Sequence, residues 1–478
     1  MNAPDLISPG PRISGPRQGA WMAEVRELLR LALPLAATQL AQMIILATDT
    51  AMLGHFSKDA LAAAALGNTV FFMAWLMGSG LPMALSPVIA HIQGEHGAKN
   101  AGGGKPHDRG DVRIAVRMGL WSVMLAAPPL FIMLLFTRPI LIALGQEPRL
   151  AADAALFTSA LAFGLPFAMA FQVLRSFSTA LSRAVPPMIV MVLAILFNAA
   201  GDYALIFGHF GLPQLGLWGA GLASASSNLF SFVVMLAISL TAPGLKPYRI
   251  LHRLARPHWK TLAELFRLGL PIGMTMVFEV SLFNGATLAM GAFGIASIAA
   301  HQIAITIPSL TFMVPLGIGL AATVRVGLAA GAGDAKAARR AGFTAIGMGA
   351  VFMCATAVLL LLFPRAIATL WLPDIAGNRE VLALAVSFLH VAAAFQLADG
   401  LQVTASLSLR GLKDARMPMW LAGASYWLAG APMCALLGFG FGLQGFGIWL
   451  GLAFGLFVAA LLLTTRFVLL SKRPLPVQ

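Results

Sequence analysis

The sequence contains apolar runs of about 20 residues that recur along most of its length. A helix of that length crosses the hydrocarbon core of a bilayer, whereas the strands of a membrane barrel would give short alternating segments. The chain is 59% hydrophobic and 10% charged, which is more apolar than a soluble core can hide. We therefore predict an all-α polytopic membrane protein with twelve transmembrane helices, at approximately 32–53, 61–90, 114–136, 152–174, 186–207, 216–240, 264–290, 299–328, 342–363, 382–408, 418–438 and 445–470.

Basic residues are distributed unevenly between the two sides of these helices. When the loops are assigned to alternating sides, the termini and the loops after even-numbered helices carry all 32 Lys and Arg residues except Lys58, Arg138, Arg149, Arg365 and Arg379. Because basic loops stay in the cytoplasm, both termini are predicted to be cytoplasmic, in a cell inner (plasma) membrane protein. The net charge of +14 then reflects topology and contacts with membrane lipids rather than nucleic-acid binding.

Motifs of the first half recur in the second half in the same order. The matched pairs are LALPLAATQL with RLGLPIGMTM, AMLGHFSKDALAAAALG with LAMGAFGIASIAAHQIA, FQVLRSFSTALSR with LQVTASLSLRGLK, and GLWGAGLA with GIWLGLA. Six helices per half makes the halves parallel, pseudo-symmetric repeats, which is common in secondary transporters. The predicted organisation is a disordered cytoplasmic tail at 1–30, an amino-terminal six-helix lobe at 31–240, a basic cytoplasmic linker at 241–263, a carboxy-terminal six-helix lobe at 264–471, and a cytoplasmic tail at 472–478.

Four acidic residues lie well inside the predicted spans: Asp49, Asp202, Glu279 and Asp399. A charged side chain at bilayer depth costs roughly 2.5–3.5 kcal/mol on insertion scales, and we predict no Lys or Arg at comparable depth to neutralise these acids. Each carboxyl group must then be protonated, hold a cation or face water, so its charge can be coupled to a moving ion. Asn198 shares a helix face with Asp202, so the two could bind one small cation; a hydrogen bond from Asn198 to a neighbouring helix is the alternative.

Several other residues near these acids have less specific interpretations. His301 is interpreted as a hydrogen-bonded interface residue rather than a proton relay. Phe278, Phe283, Met274 and Met290 are interpreted mainly as packing or lipid-facing residues, and any that line a cavity would suit an apolar cation through cation–π and thioether contacts. The sequence has no catalytic motif and its two cysteines lack metal-ligand spacing, so we expect neither an enzyme nor a cofactor other than the coupling ion.

Five segments carry a family resemblance that extends from about residue 30 to about residue 470: ALPLAATQLAQMIILATDTAMLG, FNAAGDYALIFG, FRLGLPIGMTMVFEVSLF, AFQLADGLQVTASLSLRGLKD and SYWLAGAP. They resemble the multidrug and toxic compound extrusion (MATE) transporters, most closely the NorM-like branch. This resemblance implies two six-helix lobes and the export of cationic amphiphiles in exchange for sodium ions or protons.

The resemblance also implies a role for individual residues. Ser224 is implied as an accessory residue where some members have Thr, and Pro34 as a site of helix bending. Sodium-type NorM members often have Asn at the position of Asp202, so the coupling ion stays open. The cation- or proton-coupling residues, which are also the candidate sodium ligands, form one set in each lobe: Asp49, Asn198 and Asp202 in the first, and Glu279 and Asp399 in the second.

Taken together, these features predict a secondary active multidrug efflux antiporter that works by alternating access as a monomer on small cationic amphiphilic substrates. A flippase of lipid-linked oligosaccharide is the alternative, although it should have a cationic central cavity, whereas the deep charges here are acidic. If the first set of residues forms one site, the side-chain oxygens of Asp49 and Asp202 should lie within about one water-bridged contact of each other in at least one state. Glu279 and Asp399 should face the interior of their lobe or a central cavity.

Overall fold

The fold is described by a computed structural model that covers residues 20–101, 109–373 and 375–472. All regular secondary structure in these ranges is helical. Two π-helical segments, Ala424–Gly430 and Leu436–Gly440, interrupt the helix that runs from Arg416 to Gly440. The α-helices are α1 (Ala20–Phe56), α2 (Lys58–Ala101), α3 (Gly110–Leu135), α4 (Thr137–Ala143), α5 (Pro148–Ala162), α6 (Leu165–Ala180), α7 (Val185–Phe207), α8 (Gly216–Thr241), α9 (Trp259–Gly291), α10 (Ile295–Gly331), α11 (Ala335–Leu362), α12 (Pro364–Thr369), α13 (Arg379–Gly411), α14 (Arg416–Gly423), α15 (Ala431–Ala435) and α16 (Gln444–Leu470).

The number of membrane-spanning helices agrees with the sequence prediction. Within the described ranges, 11 helices are long and apolar enough to cross a membrane. A twelfth span results if α5 and α6, which are bent by 45° at a short break, are counted as one. The predicted all-α polytopic membrane fold is therefore confirmed.

Helix α1 begins earlier than the sequence predicted. The predicted disordered tail is wrong for residues 20–30, which are helical, while residues 1–19 and 473–478 of the two predicted tails lie outside the described residues. Glu24 and Leu28 of this segment are buried. The Glu24 carboxylate accepts hydrogen bonds from Nε and Nη2 of Arg325, each at 2.8 Å. This bidentate contact with α10 explains why a segment rich in polar residues is ordered.

The described chain forms two compact units, and the division falls inside two helices. Unit 1 contains residues 37–273, and unit 2 contains residues 20–36 and 274–472. The amino-terminal part of α1 therefore belongs to unit 2, and the amino-terminal part of α9 belongs to unit 1. Pro34 and Pro271 lie inside these helices close to the two division points.

The amino-terminal parts of α1 and α9 pack closely against other helices of the units to which they belong. In unit 1, a Cβ atom added to Gly80 of α2 would lie 2.2 Å from the carbonyl oxygen of Gly269 in α9. In unit 2, a Cβ atom added to Gly317 of α10 would lie 2.7 Å from the backbone nitrogen of Ala36 in α1. Small residues allow membrane helices to approach at backbone distance, so both crossings depend on glycine.

The remaining helices of each unit pack against one another. In unit 1, α7 packs along α8, and α2 packs against α3, α5 and α6. In unit 2, α13 packs against α10, α11 and α16 around a core that includes Phe388, Tyr426 and Trp449. Both arrangements place helix faces with polar side chains in the interior of a unit.

Candidate cation sites in the two units

The first candidate site is a hydrogen-bonded cluster in unit 1 that joins α1, α7 and α8. The Nδ2 atom of Asn198 donates to Oδ1 of Asp49 at 2.6 Å and to Oδ2 of Asp202 at 2.9 Å. Ser224 Oγ donates to Oδ2 of Asp49 at 2.8 Å. The two carboxyl groups thus share one amide nitrogen, and the structure brings together Ser224 and the three coupling residues that the sequence analysis assigned to this lobe.

Two oxygen atoms of this cluster have no hydrogen-bond partner. Asn198 and Asp202 are fully buried, and Oδ1 of each residue is left unpaired among the described residues. Neither Asp49 nor Asp202 has a Lys or Arg among its hydrogen-bond partners in that part of the chain. Unpaired buried oxygens beside two carboxyl groups are suited to a proton or a small hard cation, which binds oxygen ligands.

The second candidate site lies in unit 2, between α9, α13 and the π-helical segment Ala424–Gly430. Gln402 Nε2 donates to Oε1 of Glu279 at 2.9 Å and to Oδ1 of Asp399 at 3.4 Å. Tyr426, whose side chain is fully buried, donates its hydroxyl proton to Oε1 of Gln402 at 3.1 Å. A side-chain amide therefore bridges two carboxyl groups in each unit, by Asn198 in unit 1 and by Gln402 in unit 2.

Unit 2 differs from unit 1 in having a basic residue near its acids. Arg410 lies close enough to Glu279 for the two charges to interact, and it also interacts with Tyr426. The prediction that no Lys or Arg lies at comparable depth is therefore wrong for unit 2. The error arose because Arg410 is near the end of α13, from which a long side chain can extend along the helix surface.

Sequence reasoning missed Gln402 and Tyr426, although a signal for Gln402 was available. Gln402 follows Asp399 by three residues on the same helix and stands in the repeated motif where Gln172 stands in the first half. Gln172 is also a buried hydrogen-bonding residue, since it accepts from Nη1 of Arg175 at 3.4 Å. Arg175 also donates to Gln39, so unit 1 contains a second buried polar group.

The structure also shows where the residues with less specific interpretations lie. His301 is buried, and its Nε2 lies 3.0 Å from Thr287 Oγ1, which agrees with a hydrogen-bonded interface residue. Phe283 packs edge-on against Phe395, and Phe278 and Met274 are half-buried. Met290 has no exposed surface in the core of unit 2, so in this conformation it packs rather than lines a cavity.

The ligands of both clusters are oxygen atoms. Across the described residues, no group of three or more His, Cys, Asp or Glu side chains is arranged to hold a metal ion. The clusters offer carboxylate, amide, hydroxyl and phenol oxygens instead, which suit a proton or an alkali cation rather than a transition metal.

Comparison with known proteins identifies the family. The MatE family model matches residues 34–204 and 271–436. The chain belongs to the MATE family. The predicted membership is thereby confirmed, and MATE proteins are transporters, not enzymes.

Individual MATE relatives match over nearly the full chain. The chain is 42% identical over 454 residues to the probable multidrug resistance protein NorM of Mesorhizobium japonicum, covering 94% of this chain and 95% of the relative. The corresponding NorM protein of Pseudomonas aeruginosa is 42% identical over 457 residues, with 95% and 91% covered. The crystal structure of the eukaryotic MATE transporter AtDTX14 has a TM-score of 0.81 at 23% identity and covers 94% of this chain and 96% of that one. That likeness shows the MATE fold.

Proposed function

We propose that this MATE transporter is a secondary active antiporter that exports cationic amphiphilic drugs in exchange for sodium ions or protons by alternating access. The name of the NorM relatives, multidrug resistance proteins, supports drugs as substrates. The observation that carries the ion coupling is the cluster in unit 1, where two carboxyl groups share one amide and two buried oxygens lack partners. Such a cluster holds its geometry only when its charge is balanced by a cation or a proton.

The unit 1 cluster is the primary coupling site in this proposal. Two ionised carboxylates around one amide nitrogen repel each other, so binding of a single proton or sodium ion stabilises the arrangement. Because Asp49 lies on α1 and Asp202 on α7, the ion links the positions of these helices. Release of the ion to the cytoplasm loosens that link and allows the helices to rearrange.

The unit 2 cluster is a second coupling site with different charge balance. The charge of Arg410 acts on Glu279, so the two acids there carry less uncompensated negative charge than the pair in unit 1. Unit 2 therefore needs no more than one additional positive charge to become neutral. Ions entering at both sites would make the exchange electrogenic for a monovalent drug.

Energetics make the number of ions measurable. Export of a monocation against an inside-negative potential costs about 2.3 kcal/mol per 100 mV, and one entering monovalent ion cancels that cost. A one-for-one exchange is then driven by the ion concentration gradient alone, worth about 1.4 kcal/mol per tenfold gradient. Entry of two ions would add the voltage term.

The test is ethidium efflux from proteoliposomes in which sodium and pH gradients are imposed separately, each with and without a membrane potential. We expect at least one inward ion gradient to drive efflux. Sensitivity to the potential at a fixed ion gradient would indicate more than one ion per ethidium. Efflux that responds to neither ion gradient would exclude ion-coupled antiport.

We further propose that the protein works as a monomer in the cell inner membrane with both termini in the cytoplasm.

A further inference from the structure

Unit 1 also contains an arginine cluster, which lies where α3 meets the linker that follows α8. Arg113, Arg117 and Trp121 lie four residues apart and share one face of α3. Arg117 Nη1 donates to the carbonyl oxygen of Arg253 at 2.9 Å, and Trp121 Nε1 donates to that of Leu254 at 2.8 Å. These bonds fix the linker against α3 and hold its arginines beside those of the helix. We define the arginine cluster as Arg113, Arg117, Arg249, Arg253 and Arg256.

The members of the arginine cluster repel one another. The charges that act on Arg117 are those of Arg113, Arg256 and Arg253. Partial desolvation and the charges of Arg253, Arg113, Arg249 and Arg117 lower the pKa of the neighbouring His252. The nearby carboxylate of Asp111 faces His96 at 3.5 Å. A group of like charges held together by backbone hydrogen bonds is stabilised when an anion binds.

Arg117 is the member that points most directly to a ligand. Its side chain is buried, with 7% of the residue exposed, and its Nε atom has no hydrogen-bond partner among the described residues. An unpaired donor on a buried guanidinium is costly. The guanidinium group is a preferred partner of phosphate and carboxylate groups, so an oxyanion held by the neighbouring arginines would balance the charge of Arg117.

We propose that the arginine cluster binds the phosphodiester headgroup of an anionic phospholipid such as phosphatidylglycerol. Arg113 and Arg117 occupy the first turns of a membrane-spanning helix, which is the depth of lipid headgroups. Leu251 and Trp259, on either side of Arg253 and Arg256 in the sequence, are 40% and 66% exposed. Exposed tryptophan beside clustered arginine is typical of a membrane interface, where basic groups bind anionic lipids. This site is separate from the acid clusters.

The test is native mass spectrometry of the purified full-length protein in detergent, titrated with phosphatidylglycerol or with phosphatidylcholine of the same acyl chains. Soluble glycerophosphoglycerol is added in a parallel titration to separate a lipid from a free phosphodiester. The principal variant is Arg113→Gln/Arg253→Gln, which keeps Arg117 and its backbone contact. The matched control is Arg26→Gln/Lys336→Gln, which removes two exposed positive charges elsewhere. Arg117→Lys keeps the charge but removes the planar fork.

We expect wild-type protein to bind phosphatidylglycerol at least about tenfold more tightly than phosphatidylcholine. The principal variant should lose about 30-fold, since each arginine near a headgroup contributes about fivefold, while the control stays within about twofold of wild type. Arg117→Lys should lose affinity although its charge is retained. Equal binding of the two lipids, or unchanged phosphatidylglycerol binding by the principal variant, would overturn the proposal. Displacement of the lipid by an equal concentration of glycerophosphoglycerol would also overturn it, because the site would then recognise a soluble phosphodiester.

Discussion

Asp49 is the acid of the unit 1 cluster that accepts the most hydrogen bonds from its neighbours. Both of its oxygens accept hydrogen bonds, one from Asn198 on α7 and the other from Ser224 on α8. Both donors are neutral, so neither removes the negative charge that Asp49 shares with Asp202. Because this charge is left uncompensated when the ion is released, the position of Asp49 depends on the bound ion.

Replacement of Asp49 by Asn should abolish ion-coupled efflux and leave membrane insertion intact. The amide keeps the size of the side chain but removes the charge that attracts the ion. The measurement is ethidium efflux from proteoliposomes at equal protein abundance. Asp59→Asn is the matched control, because Asp59 is an exposed acid in the first turn of α2 and should transport like wild type. Wild-type transport by Asp49→Asn would remove this residue from the coupling site.

Asp202 should make sodium binding depend on pH. One proton on the Asp49–Asp202 pair competes with sodium, so raising the pH should strengthen sodium binding by at most about tenfold per pH unit. Asp202→Asn removes the partner charge, and both the sodium affinity and its pH dependence should fall. Isothermal titration at several pH values measures this, with Asp153→Asn as the control. Sodium affinity that is indifferent to pH and to Asp202→Asn would leave Asp202 a structural acid and return coupling to unit 2.

The residues of the two clusters were not equally predictable. Asn198 and Asp202 share a helix face by spacing alone, and a buried acid is conspicuous in an apolar run, so four carboxyl groups and one amide were found from the sequence. Tyr426 donates to Gln402 of α13 from the π-helical segment, and the charge of Arg410 on α13 acts on Glu279 of α9. No spacing rule relates residues on different helices, so these contacts require the structure.

At the scale of helices, hydropathy predicted the spans but not their irregularities. It located each long apolar run, and it missed the beginning of α1, the bend between α5 and α6 and the π-helical segments before α16. The residues at 20–30 are polar enough to resemble a tail. Their helix is stabilised by one buried ion pair, whose partner lies far away in the sequence.

The Glu24–Arg325 ion pair should contribute strongly to the stability of unit 2. Both side chains are at least nine-tenths buried, and removing one partner of such a pair leaves an uncompensated charge that costs roughly 3–5 kcal/mol. Glu24→Gln should therefore lower the thermal unfolding temperature, and Glu24→Gln/Arg325→Gln should recover part of the loss. The control is Glu27→Gln, which breaks the exposed Glu27–Arg30 pair and should change stability by less than about 1 kcal/mol. Equal effects of Glu24→Gln and Glu27→Gln would show that burial does not strengthen the first pair.

At the scale of the whole molecule, two helices contribute to both compact units. The division falls between Ala36 and Ala37 in α1 and between Gly273 and Met274 in α9. In the proposed transport cycle, any rearrangement between the units must be accommodated within these two helices. Pro34 and Pro271 lie next to the division points and occupy corresponding positions of the repeated motif LALPLA and LGLPIG. Proline removes a backbone donor and weakens the helix locally, so each position is suited to bending.

Pro34→Ala/Pro271→Ala should slow efflux while leaving ion binding unchanged. Alanine restores the backbone donor and favours a regular helix by about 3 kcal/mol relative to proline, so bent states of α1 and α9 become less accessible. The protein should remain as thermally stable as wild type or become more stable, because straight helices gain hydrogen bonds. The control is Pro129→Ala. Pro129 also lies inside a membrane-spanning helix, but that helix, α3, belongs entirely to unit 1. Efflux rates and sodium affinities are compared in the same proteoliposome preparations. A double variant that transports at the wild-type rate would show that neither proline is needed for bending. Loss of sodium affinity together with a lower efflux rate would indicate damage to the ion site instead of restricted motion.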